Sequence, residues 1–251
     1  SSAASDVYKR QIVTRDGRTY TGTILSNSPS THVYDDSKNA PRTDMTMHVR
    51  IDECVSSKKE VEELGIMPGD YICIDPKTTI TPRGFIKSRF LDDKLSVAIL
   101  YGLLKTMKEE FIIPHDTWYF LISTYEEVGH GCAYIPEEIE EVIAVDMGCI
   151  GKDLSCTERD VSICAKDSSG PYDYQMTTKL INLAKDNELS FAVDIYPFYS
   201  SDVSASLRGG QDIRGALIGP GVAASHGMER SHVDAVENTM KLLIAYMTKK
   251  D

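Results

Sequence analysis

The segments TWYFLIST (117–124) and EVIAVDMG (141–148) decide the expected fold. Each is a short apolar run that ends in turn-forming or acidic residues, and this pattern predicts a strand. Another apolar run, at 214–221, predicts a further strand. Three stretches with helical apolar spacing predict helices at 92–107, 174–187 and 233–249. Strands that alternate with helices predict an α/β domain over residues 87–251, with a mixed, mostly parallel sheet flanked by helices.

The segment before this domain is rich in β-type sequence. Asp16-Gly17 separates two strand-like runs and predicts a hairpin, and residues 45–51 alternate apolar with polar side chains like a half-buried strand. A short helix is expected after Ser56. Together these elements predict a small β-barrel domain over residues 12–86. Residues 1–11 fit neither helix nor strand, and we expect an artefactual or disordered leader there.

Composition excludes several classes of partner. The 251 residues include 27 Lys+Arg and 38 Asp+Glu, for a formal net charge of −11, which argues against binding to nucleic acid or to an anionic membrane. No apolar run approaches the roughly 18 residues that a membrane span needs. The six cysteines form no C-x-x-C pair. They are expected to be reduced thiols of a cytoplasmic protein.

Acidic residues and one histidine fall where the predicted strands end. Asp92 begins a helix after an extended segment, the pair Glu126-Glu127 follows 117–124, and Asp146 directly follows the strand ending at residue 145. His226 lies beyond the strand at 214–221. Ligands of open α/β sheets bind outside the carboxyl ends of the strands, so these side chains are expected to converge there.

Each of these residues also has a structural interpretation. Asp92 or Asp93 could cap the following helix, Asp146 could cap a turn, and the Glu pair could be a solvated loop. His232 competes with His226 as a ligand, and His130 could line the site. If the residues do converge, carboxylates with one imidazole suit Zn²⁺, Co²⁺ or Mn²⁺. Of two adjacent glutamates, one could bind a metal while the other serves as a general base.

Four motifs contain these residues, in the order LDDK (91–94), YEEVGHG (125–131), AVDMG (144–148) and SHGMERSH (225–232). This ordered set resembles the tetrahedral, or deblocking, aminopeptidases, a family of two-metal peptidases. Further similarity lies in DSSGPYDYQMTTKL (167–180) and in GGQDIRGALIGPG (209–221). The turn LGIMPGD (64–70) resembles the β-barrel insertion of that family. The resemblance therefore covers nearly all of residues 12–251.

The resemblance implies a role for each residue. Asp92 would bridge two divalent ions, with Zn²⁺ or Co²⁺ favoured over Mn²⁺, and the Asp92–Asp93 peptide bond would be cis. Glu127, Asp146 and His226 would be the other ligands. Glu126 would be the general base. The implied activity is removal of N-terminal residues from short peptides, by a homo-oligomer that is a dodecamer in the family.

The family's remaining ligand is a histidine in an H-x-D motif upstream of the barrel. The chain has no counterpart, so we expect the N-terminal part of the catalytic domain to be missing. Two alternatives to the peptidase stay open. The chain could be an inactive fragment that lacks one metal ligand, or a metal-dependent deacylase of a small N-acyl compound, since the same water and base would attack either amide.

Overall fold

The computed structural model describes residues 9–249, and the chain divides into two compact units, residues 1–77 and 78–251. The elements of the first unit are β1 (Lys9–Val13), β2 (Thr19–Ser26), β3 (Met47–Ile51), α1 (Lys58–Glu63) and β4 (Tyr71–Ile74). Its four strands form one antiparallel sheet in the order β3-β2-β1-β4. The expected hairpin is confirmed, because β1 pairs with β2 across the turn at Asp16-Gly17, where Gly17 has a φ of +84°.

The predicted β-barrel is wrong, because this four-stranded sheet does not close. Two strands that overlap the end of the range predicted for the barrel, at 79–80 and 85–88, belong to the second unit. The boundary between the units consequently falls at 77/78 rather than at 86/87. The last three residues of the expected leader, 9–11, lie in β1. Residues 1–8 lie outside the described part of the chain.

Residues 78–249, the described part of the second unit, form two sheets and four α-helices. Its strands are β5 (Thr79–Ile80), β6 (Phe85–Ser88), β7 (Glu141–Val145), β8 (Gly148–Cys149), β9 (Val161–Asp167), β10 (Gly170–Pro171), β11 (Phe191–Ile195), β12 (Arg214–Val222) and β13 (Glu229–His232). Its helices are α2 (Leu91–Glu109), α3 (Tyr174–Asp186), α4 (Asp202–Arg208) and α5 (Val233–Thr248). A 3₁₀ helix spans Glu126–Val128.

The larger sheet is mixed, as expected for the fold class. Its main path runs β10-β9-β12-β7, with β11 beside β9 and β8 beside β12. The pairs β7–β12, β8–β12 and β9–β11 are parallel, whereas β9–β12 and β9–β10 are antiparallel. The smaller sheet has the antiparallel order β13-β6-β5. It joins the segment before α2 to the segment before α5.

One hydrophobic core lies between the larger sheet and helices α2, α3 and α5. The helices contribute apolar side chains at helical spacing, such as Ile99 and Leu103 of α2, and the sheet contributes Val161 and Ile218. Burial of this apolar surface is the main stabilising term for such layers. The core holds the neighbouring strand and helix ends in place, and the candidate site is built from those ends.

The predicted strand at 117–124 is wrong. Trp118 and Phe120 pack against the core while Tyr119 and Leu121 are exposed, so burial does alternate as in a strand. Within residues 9–249, however, no strand pairs with this segment. A strand needs a neighbouring strand whose backbone groups pair with its own N–H and C=O groups. Alternating side chains do not indicate whether such a neighbour exists.

Two expectations from composition can be compared with the structure. All six cysteines are free. Of the helices in the described part of the chain, none is long and apolar enough to cross a membrane.

Candidate metal and catalytic site

The start of α2 presents Asp92 at a break in the helical backbone. Phe90 has a left-handed conformation with a φ of +61°, and Asp92 and Asp93 have non-helical dihedral angles. The Asp92–Asp93 peptide bond is cis, as the resemblance implies. Beyond this break the backbone is helical, and Leu95 and Ile99 pack in the core. The break therefore separates the Asp92 carboxylate from the regular part of the helix.

Asp146 directly follows β7, as expected, and is buried with 5% exposure. Its carboxylate Oδ1 accepts the backbone N–H of Met147 at 2.6 Å, and its own N–H donates to the carbonyl of Ile218 in β12 at 2.9 Å. The Ser96 hydroxyl of α2 donates to the Asp146 carbonyl at 3.0 Å. These hydrogen bonds join the end of β7 to β12 and to α2.

Glu126 and Glu127 begin the short 3₁₀ helix, and their side chains differ in exposure. Glu126 is half-buried, whereas Glu127 is exposed. The helix ends at Gly129, which has a φ of +84° and donates its N–H to the Glu126 carbonyl at 2.7 Å. His130 stacks on Tyr125 with ring centroids 5.0 Å apart. The two adjacent carboxylates thus have different surroundings.

The structure distinguishes the two candidate histidines. His226 Nε2 lies 3.2 Å from Asp92 Oδ2 and 3.7 Å from Glu127 Oε2. His232 is buried elsewhere, with Nε2 2.7 Å from the carbonyl of Arg83 and Nδ1 accepting the N–H of Asp234 at the start of α5. His232 is therefore a helix cap, and His226 is the histidine of the candidate site.

Three of the five predicted site residues come together as a donor set. The carboxylates of Asp92 and Glu127 and the imidazole of His226 each offer one ligand atom, and these atoms lie within 4.8 Å of one another. Two carboxylate oxygens and one ring nitrogen suit a divalent ion such as Zn²⁺. Asp146 and Glu126 lie outside this three-residue cluster, but their charges act on Asp92.

The clustered acids raise each other's pKa values. Burial, followed by the charges of Asp146 and Glu127, raises the pKa of Asp92 to about 8. Burial and then Asp146 likewise raise the pKa of Glu126 to about 8. Burial also raises the pKa of Asp146, to about 6, and that of Asp93 well above its usual range. Acids whose charges are disfavoured in this way are characteristic of functional sites, and a bound cation would remove the penalty.

Sequence reasoning did not identify Glu229, which holds two of the donor residues. Its side chain is buried, with 1% exposure, and its two carboxylate oxygens accept different backbone N–H groups. Oε2 accepts from Asp92 at 3.0 Å and Oε1 accepts from His226 at 2.9 Å. One carboxylate of β13 thereby connects the start of α2 with the loop after β12. No local signal marks it, because Asp92 lies 137 residues earlier.

Comparison with known proteins agrees with this arrangement. The sequence profile described as M42 glutamyl aminopeptidase matches residues 4–242. The chain belongs to this family. The chain is 48% identical over 238 residues to a protein of Bacillus subtilis (strain 168) named as a provisional aminopeptidase, YhfE. The matched region covers 94% of this chain and 69% of YhfE. Membership of a family of peptidases confirms the enzyme class that the motifs imply.

Solved structures share the M42 chain's fold. The TET aminopeptidase of Thaumarchaeota archaeon SCGC AB-539-E09 superposes with a TM-score of 0.81 at 19% identity, covering 97% of this chain and 70% of that one. The TET1 peptidase of Pyrococcus horikoshii superposes with a TM-score of 0.78 at 21% identity, covering 97% and 72%. At these identities the superpositions establish the mixed α/β fold alone.

Proposed function

We propose that the M42 chain is a co-catalytic metallo-aminopeptidase that removes N-terminal residues from short peptides. The observation that carries the proposal is the donor set of Asp92, Glu127 and His226 with a half-buried glutamate, Glu126, next in sequence to one donor. Asp92, Glu127, Asp146 and His226 would be the ligands of the divalent ions. Bound divalent ions would polarise the scissile carbonyl and lower the pKa of the attacking water.

Glu126 is the residue proposed to move the proton. It would accept a proton from the attacking water and return it to the nitrogen of the leaving amine, which keeps the proton count balanced. Glu126 is half-buried and next in sequence to the donor Glu127, so it suits a group that lies close to the attacking water without being a ligand itself. Glu127 is exposed and 3.7 Å from His226, so it suits a ligand better than a base.

The test is Glu126→Gln, which keeps the size of the side chain and removes its basicity. We expect kcat to fall by about 10²–10⁴-fold, because general-base catalysis contributes that much, while bound metal per chain is unchanged. Glu127→Gln is the matched control and should lower metal affinity instead. Turnover that survives in Glu126→Gln would contradict the assigned base.

Two further measurements separate the alternatives. A panel of peptides with free N-termini beside matching N-acyl amides distinguishes an aminopeptidase from a deacylase. Titration with Zn²⁺ or Co²⁺ measures stoichiometry: two equivalents support the two-metal site, and failure to bind two would favour the chain as an inactive form. The same titration identifies which ion binds more tightly.

We also propose that the chain forms a homo-oligomer and works in the cytoplasm. The Pyrococcus horikoshii TET1 peptidase, which shares the fold, can assemble into a tetrahedron or a large octahedral shell. Free cysteines suit a reducing compartment. Light scattering coupled to size-exclusion chromatography would measure the assembly, and a single-chain mass would contradict it.

A further inference from the structure

The loop that carries Glu126 and Glu127 is held by one side chain on α4. Asp202 accepts a hydrogen bond from the Ser123 hydroxyl at 2.6 Å, just before the loop, and from the backbone N–H of Cys132 at 3.2 Å, just after it. The Cys132 thiol donates to the same carboxylate at 3.2 Å. A single carboxylate thus closes both ends of the segment 124–131.

Two more side chains of α4 contact the same loop. The Ser206 hydroxyl donates to the Cys132 carbonyl at 2.6 Å, and the Arg208 guanidinium donates to the Gly129 carbonyl at 3.4 Å. The loop itself has little other support, since Tyr125, Glu127 and Val128 are all exposed. Its conformation therefore depends on α4 more than on burial.

Gly131 shows how closely the carboxylate approaches the loop. A Cβ at this position would lie 2.4 Å from Asp202 Oδ1 and 2.7 Å from the Ser123 hydroxyl. Both distances are too short for a contact, so a side chain at this position would have to displace Asp202 or Ser123 from the observed arrangement. This explains the second glycine of the sequence Gly-His-Gly, which no turn geometry requires.

We propose that Asp202 is a positioning residue that keeps Glu126 and Glu127 directed toward Asp92 and His226. The inference rests on the proposed function for the role of those glutamates. The hydrogen bonds of Asp202 go to Ser123 and Cys132 on either side of the loop, and its charge also contributes to the raised pKa of Glu126. An error of about 1 Å in the placement of a catalytic group can cost on the order of 10²-fold in rate, so a loosened loop should be readily measured.

The test compares Asp202→Ala with Asp202→Asn. Alanine removes every acceptor, whereas asparagine keeps an oxygen for the Cys132 N–H and an amide that can donate to the Ser123 hydroxyl. We expect Asp202→Ala to lower kcat by at least about tenfold and to weaken Co²⁺ binding through Glu127, with KM changing less. Asp202→Asn should recover most of both. Gly131→Ala should reproduce the loss, because its Cβ displaces the carboxylate.

Asp194 provides a matched control. This buried aspartate of β11 accepts hydrogen bonds from the Ser155 hydroxyl and N–H, both at 2.8 Å, and from the Cys156 N–H at 3.0 Å. Ser155 and Cys156 lie in a loop that carries no proposed site residue. Asp194→Ala should lower the unfolding midpoint in urea while Co²⁺ affinity and kcat stay within about twofold. Equal kinetic losses in Asp194→Ala and Asp202→Ala would overturn the proposal, as would an asparagine variant as impaired as alanine.

Hydrogen exchange separates this proposal from the proposed function. Amides 125–131 should exchange faster in Asp202→Ala than in the wild type, with protection restored in Asp202→Asn, whether or not any peptide is hydrolysed. Wild-type protein without peptidase activity would refute the proposed function alone. Unchanged exchange in this segment of Asp202→Ala would refute the positioning role alone.

Discussion

With no metal ion bound, the M42 chain should lose stability as pH rises from 5 to 8. The pKa of Asp92 in the folded state is about 8 and that of Asp146 about 6, whereas an unfolded aspartate has a pKa near 3.9. Over this range the folded chain binds more protons than the unfolded chain. The free energy of unfolding therefore decreases with pH, in contrast to proteins whose acids are stabilised by salt bridges.

The size of the effect follows from Asp92 alone. A rise of about 4 pKa units, at roughly 1.36 kcal/mol each, sets a ceiling of about 5–6 kcal/mol between pH values below 4 and above 8. The neighbouring acids share one mutual repulsion, so their shifts are not summed. Between pH 5 and 8 we expect a loss of about 2–4 kcal/mol, a substantial part of a typical domain's 5–15 kcal/mol.

The assay is urea unfolding in EDTA, followed by tryptophan fluorescence. Trp118 is the only tryptophan; it packs against the core and lies edge-on to Tyr246, with ring centroids 6.0 Å apart, so it reports on the second unit. Asp92→Asn mimics the protonated acid and should flatten the pH dependence. Asp186→Asn, which removes only an exposed ion pair with Lys249, should not.

Added Co²⁺ at pH 8 should restore stability in the wild type and much less in Asp92→Asn, because an ion that binds the folded state stabilises it. The reasoning is refuted if apo stability is flat or rises from pH 5 to 8. An unaltered slope in Asp92→Asn would refute it equally.

Two more substitutions test the supports of the site. Glu229→Ala removes the carboxylate that accepts the part-buried N–H groups of Asp92 and His226, at a cost of up to about 1–3 kcal/mol each, partly offset by removing a buried acid. We expect a net loss of about 1–3 kcal/mol in urea unfolding and at least about tenfold weaker Co²⁺ binding; unchanged affinity would contradict the role of Glu229. Gly219→Ala places a Cβ 1.5 Å from the Asp146 carbonyl oxygen, so β7 and β12 must separate, and we expect a loss above about 2 kcal/mol or insoluble protein. Gly151→Ala, with no atom within 4 Å, is its near-neutral control, and wild-type stability in Gly219→Ala would refute the observed packing.

Local sequence patterns predicted the elements whose signal is local. Apolar spacing predicted α2, α3 and α5, because residues such as Leu95, Ile99 and Leu103 recur on one face. The position of Asp146 at the end of β7 followed from the apolar run before it. Pairing was harder to predict: residues 117–124 alternate like a strand but have no partner in the described structure, and β6 pairs with β13, whose residues lie more than 140 positions later.

The candidate site likewise contains residues that the sequence predicted and residues that it did not. Asp92, Glu127 and His226 were predicted because acids and imidazoles at strand ends are conspicuous in the sequence, and motif order related them to one another. Glu229 and Asp202 were missed because a carboxylate that accepts distant backbone N–H groups looks like any other acid. Each accepts from at least one donor that lies 70 or more residues away, Cys132 for Asp202 and Asp92 for Glu229.

The chemistry of these two supports explains why the site can exist before an ion binds. Bringing Asp92, Glu126 and Asp146 together disfavours their charged forms when no ion is bound. Glu229 accepts hydrogen bonds from the backbone N–H groups of Asp92 and His226, and Asp202 accepts them from the Ser123 hydroxyl and from the N–H and thiol of Cys132. These hydrogen bonds occupy none of the three donor atoms of the cluster. We therefore expect loss of either support to lower metal affinity more than loss of an equally buried hydrogen bond such as that of Asp194.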